Sequence, residues 1–292
     1  MSTSTRSAPG TAGMDLPRLT RDPAIARADL DRAGYCLLAD AIDPGRLAAL
    51  RERLDAQAAG ERALGIGYMD GGGSNQRLWM LVNKGKVFRD LVLDPVVEPF
   101  LGHLLGADFL LSSLTANIAG PGGEAMVLHQ DQYYSRVREL PVVANVAYML
   151  DDFTAENGAT VVAPGSHRDL SLSYSNMPTN LVSACAPAGS ALVFDGRLWH
   201  GTGQNRTADQ HRRALLMYCC RPFMRQQENL TLGLARDLAR TERPAFLRRM
   251  GFYIWEGLGR ISETAPRTHK GPIPWEERPV GPLNPDGTPR PE

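Results

Sequence analysis

The part of the chain that follows Gly106 is a series of short apolar segments separated by turn signals such as Gly120-Pro121-Gly122-Gly123 and Pro187-Ala188-Gly189. The segments have the length and the apolar character of β-strands, whereas turn signals rich in Gly and Pro interrupt a helix. We predict strands over residues 109–119, 126–134, 142–150, 159–163, 181–185, 190–195 and 212–220. Six to eight short strands at this spacing predict a mainly β fold, either a sandwich or a jelly roll.

Helices are predicted before this β region. Asp22-Pro23 and Asp43-Pro44 each combine a capping side chain with a residue that needs no amide partner, so helices should run from residue 23 to about 33 and from 44 to about 59. A strand is expected over residues 35–39, and a third helix from Pro95. Residues 60–76 are rich in glycine and have no repeating apolar pattern, so we expect either a mobile lid or a plain surface loop.

Length and composition favour a single domain. The chain has 292 residues, of which 43% are hydrophobic and 22% are charged, so a sizeable core is available. The sequence shows no internal repeat and no second core. We therefore predict a disordered N-terminal tail over residues 1–20 and one domain over 21–292, with an extended tail from about residue 266.

The charge balance and the cysteines limit the partners and the compartment. Acidic and basic residues number 32 each, which gives no electrostatic support for a nucleic-acid or anionic-membrane partner. No stretch is apolar enough to span a membrane. The four cysteines lack metal-binding spacing and are expected to be free thiols in a reducing cytoplasm. We expect a small-molecule substrate and a protein that is a monomer or a homodimer.

Leu128-His129-Gln130-Asp131 is the main candidate for chemistry. On a strand, His129 and Asp131 would project from the same face. Together with one more imidazole they would make the two-histidine, one-carboxylate triad of non-haem Fe(II) oxygenases, which leaves three coordination positions open. His200 is the candidate third ligand. The alternatives are a solvated strand edge for the His-x-Asp pair and a packed core position for His200 beside Trp199.

A metal ion with three protein ligands needs a co-substrate to fill its open positions. A 2-oxoacid can bind through its keto and carboxylate oxygens, and its far carboxylate then needs a fixed cation. Arginine suits this role because its planar guanidinium binds a carboxylate with two hydrogen bonds. Arg212 and Arg213 begin the last predicted strand, and the alternation of side chains means that only one of them can face the interior.

In these motifs the chain resembles the phytanoyl-CoA dioxygenase family of Fe(II)- and 2-oxoglutarate-dependent oxygenases. The resemblance covers roughly residues 28–221. It rests on Leu128-His129-Gln130-Asp131-Gln132, on Asn157-Gly158-Ala159-Thr160 followed by Pro164-Gly165-Ser166-His167, and on His200-Gly201-Thr202-Gly203 with Asn205 and Arg212. These motifs are specific as a set, and none of them is specific alone.

The resemblance implies a double-stranded β-helix, which is a cupin-like jelly roll, with flanking N-terminal helices. It also implies a role for each motif residue: His129, Asp131 and His200 bind iron, Arg212 binds the 2-oxoglutarate carboxylate, Thr202 and Gln130 are further contacts to this co-substrate, and His167 is structural.

Enzymes of this kind use O2 to convert 2-oxoglutarate into succinate and CO2 while they oxidise a C–H bond of the substrate. In halogenases of the family a small residue replaces the carboxylate ligand, so Asp131 predicts hydroxylation or a related oxidation such as desaturation or ring closure. By analogy with bacterial members of the family, we expect the substrate to be a specialised metabolite.

The sequence does not identify the substrate. Candidate lining residues are Tyr133, Tyr134, Trp79, Met80 and residues 223–227, and an anionic substrate could meet Arg77, Lys84 or Lys86. Each of these residues could equally belong to the ordinary core or surface. Two other classes of protein stay open: a metal-dependent hydrolase or isomerase on a cupin-like barrel, which would need no 2-oxoacid, and a non-catalytic jelly-roll binding protein.

Overall fold

A computed structural model describes residues 15–260 of the chain. The helices and strands are, in chain order, β1 (Leu19–Thr20), α1 (Pro23–Ala33), β2 (Tyr35–Leu38), α2 (Pro44–Ala63), β3 (Tyr68–Asp70), β4 (Asn75–Leu78), α3 (Lys86–Arg89), α4 (Glu98–Leu105), β5 (Leu110–Ala119), β6 (Val143–Met149), β7 (Thr160–Val162), β8 (Val182–Ser183), β9 (Ala191–Asp195), β10 (His200–Thr202), β11 (Arg212–Cys220), α5 (Leu230–Gly233), α6 (Arg236–Thr241) and α7 (Pro244–Met250).

The strands form two sheets. The major sheet has the strand order β1-β2-β9-β6-β11-β5-β4-β3, and the minor sheet has the order β10-β7-β8. Apart from the β1–β2 edge pair, neighbouring strands run antiparallel. This mainly β architecture with flanking helices confirms the predicted jelly-roll class.

The two faces of the major sheet pack against different partners. One face carries Val146, Leu215 and other apolar side chains that pack with residues of the helices, such as Leu50 and Leu101. The opposite face carries the alternate residues and packs in one apolar cluster with Val162 of the minor sheet. β6 is buried along its whole length, as its continuous apolar sequence predicts. In β11, therefore, odd-numbered residues face the helices and even-numbered residues face the minor sheet.

Local capping signals locate the first two helices correctly. Asp22 accepts a hydrogen bond from the Ala24 amide (2.8 Å), and Gly34 ends α1 in a left-handed conformation (φ 84°). α2 begins as predicted after Asp43 but runs four residues beyond residue 59, because its last turn makes further contacts. In that turn Glu61 accepts a hydrogen bond from Gln57 (2.9 Å) and forms an ion pair with a lysine.

Other local predictions are wrong. Residues 60–76 are not a loop: they contain the end of α2, then β3 and the start of β4, which pairs with residues 116–119 of β5. Without β4, the backbone N–H and C=O groups on this edge of β5 would be unpaired. Pairing with β5 therefore decides the local structure, although the glycine-rich composition favours a loop. The helix predicted from Pro95 is α4, which begins at Glu98.

The segment that carries the His-x-Asp motif is not a strand either. His129 makes an isolated bridge to His200, and residues 131–134 then form a turn. In this turn the amide of Tyr133 donates to the carbonyl of Gln130 (3.2 Å). The shared direction of the two motif side chains therefore arises from a bridge followed by a turn and not from strand alternation.

The predicted tails lie mostly outside the described residues, which exclude 1–14 and 261–292. The described end of the predicted N-terminal tail contains β1, which pairs with residues 37–38 of β2. No helix within residues 15–260 is long and apolar enough to cross a membrane. The four cysteines are free: Cys185 is exposed and the other three are buried.

The close packing of β6 against the turn that follows β9 predicts a large stability difference between two Gly→Ala variants. An added Cβ at Gly196 would lie 2.6 Å from Cβ of Val143 and 2.8 Å from its carbonyl oxygen, so the backbone would have to move. Gly196→Ala should lower the free energy of unfolding by about 1–3 kcal/mol. As a control, Gly102→Ala in α4 should raise it by up to about 1 kcal/mol, since nothing lies within 4 Å of the added Cβ. Urea denaturation of both variants measures the difference, and an unchanged midpoint for Gly196→Ala would contradict this packing.

Candidate active site

Two histidines from distant parts of the chain come together at one backbone bridge. His129 lies between β5 and β6, and His200 begins β10. The His129 amide donates to the His200 carbonyl and the His200 amide donates to the His129 carbonyl, both at 2.9 Å. Residues opposite each other in an antiparallel bridge project to the same side. The imidazole centroids accordingly lie 4.4 Å apart.

Each imidazole is oriented by the backbone two residues before it. Nδ1 of His129 donates to the Val127 carbonyl (2.9 Å), and Nδ1 of His200 donates to the Leu198 carbonyl (3.0 Å). With Nδ1 protonated, Nε2 carries the free lone pair in both rings. A hydrogen bond of this kind on the far nitrogen is what fixes the tautomer and the orientation of metal-binding histidines.

Asp131 completes the group of three ligands. Its Oδ1 lies 3.5 Å from Nε2 of His129, and its Oδ2 lies 3.4 Å from Nε2 of His200. The three candidate ligand atoms lie within 4.8 Å of one another. Two imidazole nitrogens and one carboxylate oxygen in this arrangement can bind a divalent first-row metal ion on one face and leave the opposite face open.

The charges within the group favour an ionised carboxylate. Burial would raise the pKa of Asp131, but the adjacent His200 and His129 reverse this effect and hold the pKa well below its usual range. Burial would likewise lower the pKa of His129, but the hydrogen bond and charge of Asp131 raise it. A metal ion bound by the same three groups would take the place of the protons that the imidazoles otherwise share with Asp131.

Two residues that support Asp131 were not identified from the sequence. Asn145 donates from Nδ2 to Oδ2 of Asp131 (2.9 Å), and the Tyr218 hydroxyl donates to the Asp131 carbonyl (2.6 Å). The role of Asn145 could have been suspected from the sequence, because Asn145 is a lone amide in the otherwise apolar run 142–150. Nothing in the sequence distinguished Tyr218, since an aromatic residue is ordinary in a strand.

The group of ligands opens into a cavity between the two sheets. Besides the three ligands, the walls of the cavity include Arg77, Trp79, Ser113, Thr115, Met126, Asn145, Thr160, Thr202, Leu216, Tyr218 and Gln227. Thr202, one of the predicted co-substrate contacts, accepts a hydrogen bond on Oγ1 from Nδ2 of Asn117 (3.3 Å). Its hydroxyl proton remains available to a ligand.

The structure does not bring Gln130 to this cavity. Its side-chain amide donates to the Arg197 carbonyl, and the residue lines a separate cavity beside Trp199. The turn after His129 directs Gln130 to the side opposite Asp131. The expected contact between Gln130 and the co-substrate therefore has no support from the side-chain position.

The two arginines that begin β11 point in opposite directions. Arg213, on the face of the helices, forms ion pairs with Asp151 and Asp55, both at 2.6 Å. Arg212 lies on the face directed at the minor sheet, which it shares with Leu216 of the cavity wall. The alternation therefore directs Arg212, and not Arg213, to the side of the minor sheet.

Arg212 is buried and forms no ion pair with any residue in the described range 15–260. It is 1% exposed, and its Nε and Nη2 have no hydrogen-bond partner within residues 15–260. The guanidinium carbon lies 4.5 Å from the centroid of the Phe153 ring. Burial lowers the pKa of Arg212 to about 10, so the group remains charged at neutral pH. An unpaired buried charge is strongly unfavourable, so this position is suited to an anion.

The predicted substrate-lining residues divide into two groups. Trp79 and Gln227 line the cavity, and Tyr134 contacts it through a hydrogen bond to Tyr218 (2.9 Å). Tyr133 lines the separate cavity beside Trp199, and the Met80 side chain packs against the core.

Other residues of the sequence motifs have structural roles. The side chain of Asn157 accepts a hydrogen bond from the Thr154 amide (2.9 Å), and that of Asn205 donates to the Ala119 carbonyl (3.1 Å). His167 is buried, with Nε2 at 3.3 Å from the Asp31 carbonyl, and it is not part of the metal-ligand group.

Comparisons with known proteins identify the family of the chain. Residues 30–214 match the family model described as Phytanoyl-CoA dioxygenase (PhyH). The chain is 34% identical over 209 residues to "Dioxygenase af480" of Aspergillus fumigatus, a match that covers 68% of this chain and 67% of the relative. It is 31% identical over 191 residues to "Dioxygenase FrzG" of Cladobotryum sp, covering 58% of this chain and 61% of that relative. The matches thus span about two thirds or less of these two relatives.

A solved structure with a similar fold is HygX from Streptomyces hygroscopicus, which contains nickel, 2-oxoglutarate and hygromycin B. Its TM-score to this chain is 0.57 at 16% sequence identity, and the match covers 69% of this chain and 88% of HygX. At this identity the similarity concerns the fold, and it supports the jelly-roll assignment.

The geometry predicts a graded loss of metal binding in site variants. His200→Ala and Asp131→Ala should abolish tight Co(II) or Fe(II) binding, because each removes one of three ligands. Asn145→Ala should weaken it by roughly 10- to 100-fold, as expected when a residue that orients a ligand is lost. Anaerobic isothermal titration calorimetry measures these affinities.

The control is His103→Ala, which removes a histidine that contacts Asp31 (2.6 Å) and is not part of the metal-ligand group. This variant should bind the metal like the wild type. Equal binding by the wild type and His200→Ala would exclude the assigned ligands.

Proposed function

The chain belongs to the phytanoyl-CoA dioxygenase family of non-haem iron, 2-oxoglutarate-dependent enzymes, and we propose that it hydroxylates a small organic molecule at the site built on His129, Asp131 and His200. The observation that carries this proposal is that a complete group of three candidate metal ligands occurs together with the unpaired charge of Arg212, which lies on the sheet face that also carries Leu216 of the cavity wall. An enzyme that needs a metal ion and a dicarboxylate co-substrate requires both features together.

Each end of 2-oxoglutarate has a suitable protein group. Arg212 supplies a buried cation for the far carboxylate, and Thr202 supplies a hydroxyl donor in the cavity of the three candidate ligands. The three ligands leave metal positions open for the keto and carboxylate oxygens at the other end. When bound, Fe(II) and 2-oxoglutarate supply the oxidising chemistry, in which O2 converts the co-substrate into succinate and CO2 and oxidises a substrate C–H bond.

The residues of the chain orient the reactants and limit water. Asn145 and the backbone hydrogen bonds of the two imidazoles hold the ligand atoms in place before any reactant binds. Apolar side chains of Phe194 and Leu216 form part of the cavity wall, which reduces access of water to the reacting carbon.

Asp131 favours hydroxylation over halogenation. A halide would require a vacant coordination position in place of the carboxylate, and here the carboxylate is present and held by Asn145. Hydroxylation, or a related oxidation such as desaturation or ring closure, is the reaction that this ligand set supports.

The two rival classes explain less of the site. A hydrolase or isomerase on the same barrel would use the metal ligands but would leave the buried charge of Arg212 without a function. A non-catalytic binding protein would need neither the oriented histidines nor the carboxylate between them.

A specialised metabolite is the class of substrate that we propose. HygX, which shares the fold, holds hygromycin B, and the cavity of this chain likewise suits a small molecule. The four free cysteines fit a reducing cytoplasm as the site of action.

Arg212 and Arg213 form a matched pair for testing the co-substrate site. Anaerobic addition of Fe(II) and then 2-oxoglutarate to the wild type should produce the visible charge-transfer band of a chelated 2-oxoacid. Arg212→Leu should raise the dissociation constant of 2-oxoglutarate by about 100-fold, the effect of losing two charge-assisted hydrogen bonds. Arg213→Leu should leave it unchanged, because Arg213 binds Asp151 on the other face.

Absence of the band in the wild type, with tight zinc binding instead, would reject the oxygenase and favour the hydrolase. If Arg213→Leu rather than Arg212→Leu lost 2-oxoglutarate, the assignment of the carboxylate site would be wrong while the reaction class would stand.

Asp131→Ala tests the reaction itself. This variant should lose O2-dependent release of succinate from 2-oxoglutarate, since one ligand of the metal ion is gone. Succinate can be measured by chromatography with and without O2. Full succinate release by Asp131→Ala would remove Asp131 from the metal site.

A further inference from the structure

One wall of the cavity comes from a segment beyond the region that matches the family model, which ends at residue 214. β4 covers the edge of β5 only over residues 116–119. Residues 226–228 bind the next part of that edge. The Gln226 side chain donates to the Leu111 carbonyl (2.5 Å), and the Glu228 amide donates to the Ser112 carbonyl (2.8 Å).

Glu228 closes the gap where β4 leaves β5. Its buried carboxylate accepts hydrogen bonds from the amides of Met80 (2.5 Å) and Leu114 (3.1 Å). Met80 has a left-handed backbone (φ 54°), which is uncommon for a residue other than glycine. The contact with Glu228 stabilises this turn and so fixes the neighbouring Trp79 in the cavity wall.

Gln227 lies between these two anchors at a solvent-exposed position of the cavity wall. Its amide donates to Oγ of Ser112 (2.7 Å), and its side-chain Oε1 accepts a hydrogen bond from Oγ of Ser113 (2.6 Å). In this arrangement the amide nitrogen of the side chain is left for other partners. The side-chain Nε2 has no protein partner within the described residues, and Gln227 lines the same cavity as the metal ligands.

Two other polar residues of the cavity wall, Tyr218 and Arg77, have protein partners. The Tyr218 hydroxyl donates to the Asp131 carbonyl, so the hydrogen bond between Tyr134 and Tyr218 uses the proton of Tyr134. Arg77 forms an ion pair with Asp70. The rest of this wall includes the apolar side chains of Trp79, Met126 and Leu216.

We propose that Gln227 determines specificity by donating a hydrogen bond to a carbonyl oxygen of an uncharged, mainly apolar substrate. The proposal rests on the proposed function and adds to it the class of substrate. Ser113, which contacts Gln227, pairs with Tyr218 in the β5–β11 register. Arg212 lies six residues before Tyr218 in β11 and pairs with Ala119. The substrate carbonyl and the far carboxylate of 2-oxoglutarate therefore bind at different ends of the cavity.

A set of bicyclic probes with one variable group tests the proposal. Binding of 1-tetralone, tetralin and tetralin-1-carboxylate to the protein loaded with Zn(II) and 2-oxoglutarate, which does not turn over, can be measured by ligand-observed NMR titration. The wild type should bind the ketone more tightly than the carboxylate. Gln227→Leu should weaken ketone binding by about five- to ten-fold, the effect of one neutral hydrogen bond, and leave tetralin binding unchanged.

Two further variants separate recognition from folding. Gln227→Glu keeps an acceptor for Ser113 but has no donor when ionised, so it should lose the ketone preference with the same thermal stability as the wild type. Gln204→Leu changes an exposed glutamine that does not line the cavity and should bind all three probes like the wild type.

Tighter binding of the carboxylate by the wild type, no ketone binding, or equal losses for ketone and tetralin in Gln227→Leu would overturn the proposal. The charge-transfer band of Fe(II) and 2-oxoglutarate, recorded for the same variants, distinguishes a failure of the role of Gln227 from a failure of the proposed function. If the band forms while the ketone preference is missing, only the role of Gln227 fails. If the wild type gives no band, the proposed function itself fails.

Discussion

The bridge between His129 and His200 is the interaction on which the site depends. Two reciprocal backbone hydrogen bonds join a loop of the chain to the edge of the minor sheet and place both imidazoles on one side. The approach is close, since a Cβ at Gly201 would lie 2.9 Å from the Met126 carbonyl. Only a residue without a side chain allows the two segments to lie this near each other.

Gln132 anchors the other end of the same loop. This buried side chain donates to the carbonyls of Val137 (2.6 Å) and Leu140 (3.0 Å) and accepts from the amide of Val142 (2.8 Å) just before β6. The loop that carries two of the three ligands is therefore tied at one end to the minor sheet and at the other end to the major sheet. A carboxylate between such anchors is held in position before a metal ion binds.

The sequence predicted the fold class and the group of candidate metal ligands by different routes, and it predicted that only one of the two arginines would face the interior. Continuous apolar runs such as residues 142–150 identify buried strands, and the Asp-Pro signals identify helix starts, because both signals are local. The His-x-Asp segment and residues 60–76 were assigned the wrong local structure, since their conformation depends on pairing with distant partners, β10 and β5. Asn145 contacts the site only through tertiary folding, and no spacing rule links it to the ligands. Gln227 was among the candidate lining residues, but its contacts with Ser112 and Ser113 could not be predicted, because they too depend on tertiary folding.

The candidate metal ligands and the residue proposed to select the substrate lie in separate parts of the chain. The metal ligands and Arg212 all lie within residues 30–214, whereas Gln227 and Glu228 belong to the segment that follows β11. That segment meets the rest of the site through a few hydrogen bonds to β5 and one to Met80. Evolution can therefore exchange or reshape it to accept new molecules while the oxidation chemistry stays intact, so chains with the same metal ligands can diverge widely in what they transform.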